Sequence, residues 1–173
     1  MSAVKCVAID YGLERTGLAA CDEAGVLAYP LTTLRLADYP DRKAFLAALA
    51  QRVLAEAPDA VVLGLPLLDD GSESLTTRQV RNVAGRLMRR IDRPFYWMPE
   101  LLSSVEAAMD LREAGLARKR HKAVLDQQAA VRILASFLAL PPARRQPIEA
   151  APSARTAPIP HDGPDGPAPR TPA

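Results

Sequence analysis

Asp10, Glu100 and Asp126 are the residues of this chain whose types and positions could support chemistry. Asp10 closes the apolar run Val4-Lys5-Cys6-Val7-Ala8-Ile9 and is followed at once by Tyr11-Gly12-Leu13-Glu14-Arg15-Thr16-Gly17. A carboxylate at the mouth of a strand loses hydration and must take up a proton or find a cation. An Asx-type turn, in which Asp10 only caps a hairpin, is the plainer alternative. Asp126 shares one helical side with Ala130, Ile133 and Phe137, so it lies on a core-facing stripe rather than a solvated one. Attraction to the helix dipole explains an acid in a first turn but not its face. Glu100 follows Tyr96-Trp97-Met98-Pro99 at the carboxyl end of a short strand, where sites gather in sheets with parallel strands. A glutamate ahead of a helix cap is common, so Glu100 carries weight only in company. If the three converge, their repulsion requires divalent cations, and oxygen-only donors suit Mg²⁺ or Mn²⁺ rather than zinc. Two such ions ~3.5–4 Å apart would bracket a scissile phosphate, one activating water and the other stabilising the leaving oxygen.

The elements that must position these acids follow from periodicity. Residues 4–10, 17–21 and 26–36, the last broken at Pro30, read as three strands joined by tight turns, an antiparallel meander. A helix is expected over about 41–57, with Phe45, Leu46, Leu49, Val53 and Leu54 at helical spacing and Pro58 as its stop. Residues 60–63 form a short apolar strand of the kind buried on both faces. A second helix over about 75–91 carries Arg78, Arg81, Arg86, Arg89 and Arg90 beside its apolar stripe, and 94–98 is another short strand. Ser103-x-x-Glu106 is a capping box opening a third helix that ends near Gly115. The basic stretch Arg118-Lys119-Arg120-His121-Lys122 leads into a last helix ending near Leu140. A meander followed by alternating helix and strand implies an α/β fold, with a mixed five-stranded sheet flanked by helices on both faces.

Composition narrows the partners. The chain has 173 residues, and its hydrophobic fraction of 49% can build one core. Net charge is +2, so any nucleic-acid site must come from local clustering of the 22 Lys and Arg residues. Cys6 and Cys21 lie in apolar surroundings without zinc-type spacing, and buried reduced thiols are expected. With no leader and no run near the ~18 residues of a membrane span, a soluble cytoplasmic protein is expected, with no membrane partner. Residues 141–173 hold ten of the sixteen prolines and only Ile148 and Ile159 as aliphatic anchors. They are expected to form a disordered Pro/Ala-rich tail behind a domain of residues 1–140, so that removing them leaves the melting transition nearly unchanged.

Taken in order, Asp10-Tyr11-Gly12-x-x-Arg15-x-Gly17, Gly64-Leu65-Pro66-Leu67 with Asp70-Gly71, Glu100-x-Leu102-Ser103-Ser104, and Lys122-x-x-x-Asp126-x-x-Ala129-Ala130 resemble the YqgF/RuvX family. That family is described as Holliday junction resolvases or pre-16S rRNA nucleases, and the resemblance spans about residues 4–140. It implies an RNase H-like fold, with Asp10, Glu100 and Asp126 as catalytic and metal-binding carboxylates. It also implies a divalent metal and hydrolysis of a phosphodiester in pre-rRNA, on the small-subunit precursor, or in branched DNA. One motif departs from the family pattern. Many members read Asp-Glu-Arg-Leu where this chain reads Pro99-Glu100-Leu101-Leu102, so an arginine able to hold the glutamate or touch phosphate is gone.

Arg15 could contact phosphate or pair with Glu14 in solvent. Arg118, Lys119, Arg120 and Lys122 stand just before Asp126, which favours a phosphate clamp over a solvated loop. Gly64-Leu65-Pro66 leaves a buried strand and Asp70-Gly71 turns the chain toward the arginine-bearing helix; the segment reads as a structural turn, with a backbone contact to substrate as the second reading. The leading expectation is a metal-dependent endonuclease of pre-16S rRNA maturation. A Holliday junction resolvase differs only in substrate, and a non-catalytic RNA-binding assembly factor is compatible with the altered Pro99–Leu101 segment. An actin-like kinase or ATPase would need two such domains to enclose its nucleotide.

Overall fold

The computed structural model describes residues 4–102 and 118–149, and for residues 118–126 the backbone alone. The expected third helix over 103–115 lies outside the described residues. Among the described residues six strands form one sheet, β1 (Cys6–Tyr11), β2 (Arg15–Cys21), β3 (Ala28–Arg35), β4 (Ala60–Leu68), β5 (Phe95–Leu102) and β6 (Gln146–Pro147), in the order β3-β2-β1-β4-β5-β6. The first three make the expected antiparallel meander, and β1, β4 and β5 run parallel to one another. Pro30 does not end β3; its lack of an N–H falls at a register shift opposite Leu18 and Ala19.

Helices cover both faces. α1 (Arg42–Ala55) is capped by Asp41, whose carboxylate accepts from the Ala44 N–H at 2.7 Å. α2 (Leu75–Met88) opens with Ser74 and Thr77 capping each other reciprocally. Phe45, Leu49 and Val53 of α1 and Val80, Ala84 and Leu87 of α2 pack on one side of the sheet, against Val7, Ile9, Leu18, Val61 and Leu63. α3 (Arg118–Ala139) covers the other side, where Ala130, Ile133, Leu134 and Phe137 meet Cys6, Ala8, Ala19, Cys21 and Val62. Cys6 and Cys21 are both buried and free, as expected, and burial pushes the Cys6 thiol up to about 12. Among the described residues no helix is long and apolar enough to cross a membrane.

Three boundaries differ from the sequence reading. β4 and β5 run to Leu68 and Leu102 because each supplies the other's partners beyond the end of β1, from Gly64 opposite Met98 to Leu68 opposite Leu102. Glu100 therefore stands inside a strand, not beyond one. The basic stretch 118–122 is the start of α3 rather than a loop leading to it. The sheet gains a sixth strand from the segment expected to be tail. Gln146 and Pro147 pair with Trp97 and Tyr96, and the Ile148 N–H donates to the Phe95 carbonyl at 2.8 Å. Ile148 packs on the α1/α2 core, and the Arg145 guanidinium covers the Phe137 ring at 4.6 Å. A lone aliphatic in a proline-rich run gives little signal, yet here it finds a preformed apolar edge.

This clasp revises the truncation expectation. Ile148→Ala should cost about 1–2 kcal/mol, because a half-buried aliphatic loses its packing. A chain ended after Pro141 should melt lower than one ended after Glu149. Calorimetry of the three forms checks this, and equal transitions would mean that the clasp contributes nothing.

Candidate active site

Strand alternation assigns the acids to a face. Along β1, Val7, Ile9 and Tyr11 point to α1 and α2, while Cys6 and Ala8 point to α3, and Asp10 continues the second set. Along β5, Phe95 and Trp97 join the α1/α2 side and Tyr96 and Met98 the α3 side, which Glu100 continues. A methyl group on Gly64 would lie 3.7 Å from Glu100 Oε2 and 2.5 Å from Ile133 Cδ1, so Glu100 lays its carboxylate over Gly64 beneath α3. The pairing of β1 with β4 ends at Ile9 opposite Leu63, which leaves Gly64 next in line beside Asp10. On its other flank Asp10 is paired with Gly17. Asp10 thus stands between two residues that lack side chains, and Glu100 leans toward it from two strands away. Both acids are half-buried.

α3 crosses this hollow. Ile133 rests at Gly64, and the Phe137 ring meets that of Tyr96 with centroids 5.3 Å apart, nearer the amino ends of β4 and β5. The helix therefore starts at the carboxyl edge of the sheet. Asp126, seven residues before Ile133, stands about 10 Å nearer that edge, on the helix face of Ala130 and Ile133. Arg118 and Lys122 precede it at successive four-residue steps on neighbouring turns, with Lys119 and Arg120 between them. The side chains of these five residues lie outside the described ones.

Arg15 opens β2 and, by alternation from Gly17, belongs to the same sheet face as Asp10. It is opposite Arg35 in the register and forms no ion pair with Glu14 among the described residues. Gly12 lets the loop fold back onto it, since a Cβ there would lie 2.5 Å from the Arg15 carbonyl oxygen.

Gly64-Leu65-Pro66 is not a turn. It lies within β4, where Gly64 makes the room that Ile133 and Glu100 occupy. Pro66 is tolerated because, among the described residues, no strand pairs with β4 on the β1 side past Leu63, and its carbonyl accepts from Thr77 Oγ1 at 2.5 Å. That bond seats the start of α2 on β4. The Ser74-x-x-Thr77 spacing ahead of an apolar stripe was the signal that could have located this cap. Asp70-Gly71 does turn the chain: Gly71 has φ of 81° and donates to the Leu68 carbonyl at 2.8 Å. Hydrogen bonds from the Ser72 hydroxyl and N–H hold the Asp70 carboxyl below its usual range. Leu101, standing where many family members carry arginine, is 63% exposed.

The donors that Asp10 and Glu100 bring to this face are carboxylate oxygens, and the space over Gly64 is taken up by Ile133 and Glu100. Hard divalent cations fit such a setting, whereas zinc would favour nitrogen or sulfur.

Over residues 4–140 the chain matches the family model described as RuvX, Holliday junction resolvase. A protein of Nitratidesulfovibrio vulgaris named as a candidate pre-16S rRNA nuclease is 54% identical over 142 residues, covering 82% of this chain and 98% of that protein. A protein of Oleidesulfovibrio alaskensis with the same name is 53% identical over 146 residues, covering 84% and 99%. Among solved structures, Thermus thermophilus RuvC superposes with a TM-score of 0.51 at 15% identity, covering 83% of this chain and 99% of RuvC, which establishes the shared RNase H-like fold. By the extent of the family match and the identity to these relatives, the chain belongs to the RuvX family.

Proposed function

We propose that the chain is a divalent-metal-dependent endonuclease that hydrolyses RNA phosphodiesters in maturation of the 16S rRNA precursor, in the cytoplasm. One observation carries this reading: Asp10 and Glu100 share a sheet face around the Gly64 gap, beneath the helix that bears Asp126. The names of the relatives supply the substrate. Asp10, Glu100 and Asp126 are the residues to hold Mg²⁺ or Mn²⁺. When bound, the metal supplies an activated water and charge stabilisation at phosphorus. Arg15 and the run Arg118, Lys119, Arg120 and Lys122 neutralise the substrate phosphates and fix the backbone against the acids. Leu101 contributes no charge to this task, so more of it falls on Arg15.

The family description favours a second reading, cleavage of a four-way DNA junction, as the resolvase name states. The test incubates the purified chain with Mg²⁺ or Mn²⁺ and either a 16S precursor carrying its leader or a synthetic junction. The expected result is discrete, EDTA-sensitive cleavage of the RNA. Paired nicks in the junction with intact RNA would transfer the assignment to recombination. Tight RNA binding without cleavage under any metal would leave an assembly factor.

A further inference from the structure

The sheet face opposite the acids carries a charge cluster that hydrolysis does not use. Lys43 at the start of α1 and Arg86, Arg89 and Arg90 at the end of α2 line one groove, floored by Leu46. All four cations are exposed, and none forms an ion pair among the described residues. From Leu75 to Ile91 the sequence has five arginines and no acid. Of these, Arg81 is engaged by Glu73 and by the Trp97 ring, which leaves the cluster at the far end unneutralised. One basic residue in the last turn already answers the helix dipole, and no acid stands four residues from Arg86, Arg89 or Arg90 to offset the others. Here three guanidinium forks occupy adjoining positions on about one turn, an exposed concentration of positive charge that an anion would offset.

We propose that this groove is a second phosphate-backbone site, which engages an RNA strand on the side of the sheet away from the candidate catalytic acids. The proposal rests on the nuclease reading for the identity of the polyanion. Repeating phosphates suit it because guanidinium forks match pairs of phosphate oxygens. A concave groove also follows a strand better than it meets a flat bilayer. Leu46 is 1% exposed, so the floor offers no apolar side chain for insertion into lipid. With net charge of only +2, the whole molecule attracts polyanions weakly, and local clusters must do so. An RNA held both here and at Arg15 has to wrap from one face of the sheet to the other, which selects long precursors over short fragments.

The experiment uses the full chain in EDTA, so that binding is read without cleavage. Fluorescence anisotropy with a labelled structured RNA across a KCl series compares the natural chain with the triple variant Arg86→Gln, Arg89→Gln, Arg90→Gln. The expected result is roughly tenfold weaker binding and a salt slope smaller by about 2, as counterion release at three contacts is lost. Lys43→Gln gives a smaller loss in the same direction, and it decides the matter if the triple variant melts early. Unchanged affinity and slope in both variants would overturn the proposal. So would losses seen only with polyglutamate or with phosphatidylglycerol vesicles. Failure of the natural chain to cleave RNA would remove the nuclease reading while leaving this binding result standing.

Discussion

Asp10→Asn should abolish most hydrolysis, lowering kcat on the order of a hundred- to a thousandfold, the usual cost of removing one group that faces developing charge. The swap keeps the shape of the side chain, and the pairing of Asp10 with Gly17 uses the backbone, so the strand register should be retained. What should disappear is the response to metal. A ligand present at a hundred times its dissociation constant stabilises the native state by about 2.7 kcal/mol. Mn²⁺ should therefore raise the melting temperature of the natural chain and not that of Asp10→Asn. Glu100→Gln should behave alike, since its Oε2 lies over Gly64, the residue next in line beside Asp10. Natural-rate cleavage by Asp10→Asn, or an undiminished Mn²⁺ response, would remove Asp10 from the site.

The second large effect is expected at Gly64. Its missing side chain is filled by Ile133, whose Cδ1 would stand 2.5 Å and Cγ1 3.3 Å from an added methyl. Ile133 is fully buried, so it cannot swing away, and Gly64→Ala should cost about 1–3 kcal/mol through overpacking. For a domain of this size that is a fall in melting temperature of roughly 3–10 °C. Ile133→Val removes the offending methyl and alone costs about 0.5–1.5 kcal/mol. Combined, the two changes should be less damaging than their sum by about 1 kcal/mol, which a double-mutant cycle measures. Additive effects would mean that α3 shifts as a unit instead. Glu100 Oε2, 3.7 Å from the added methyl, is in ordinary contact with it, so any loss of metal response should also be relieved by Ile133→Val.

Much of the fold was legible because each element carried its own period. The meander, α1 and α2 and the face of α3 came from apolar spacing, and the Asp70-Gly71 turn came from local chemistry. What stayed hidden was set between distant segments. β4 was read as four residues because Gly64 and Pro66 break a strand pattern, whereas β5 supplies partners that carry it to Leu68. Gly64 was read as a turn residue for the same cause: the need for space comes from Ile133, sixty-nine positions away in the chain. Asp10 was visible as a misplaced acid and Glu100 only in company, and their common face depends on a parallel register that no local pattern encodes. Arg86, Arg89 and Arg90 read as the polar side of a helix until Lys43 closed the groove from α1.

The clasp at residues 146–148 has a consequence for how these molecules coexist in solution. A border strand exposes a ladder of amide and carbonyl groups that a neighbouring molecule can extend, the route by which sheet proteins coalesce. On the far border, Pro30 and the register shift interrupt that ladder in β3. On the near one, Gln146 and Pro147 cover Trp97 and Tyr96, and the proline presents no amide of its own to continue outward. Shortening the protein to its enzymatic segment would uncover that border, and the cost would register as turbidity at high concentration before it registered as lost turnover.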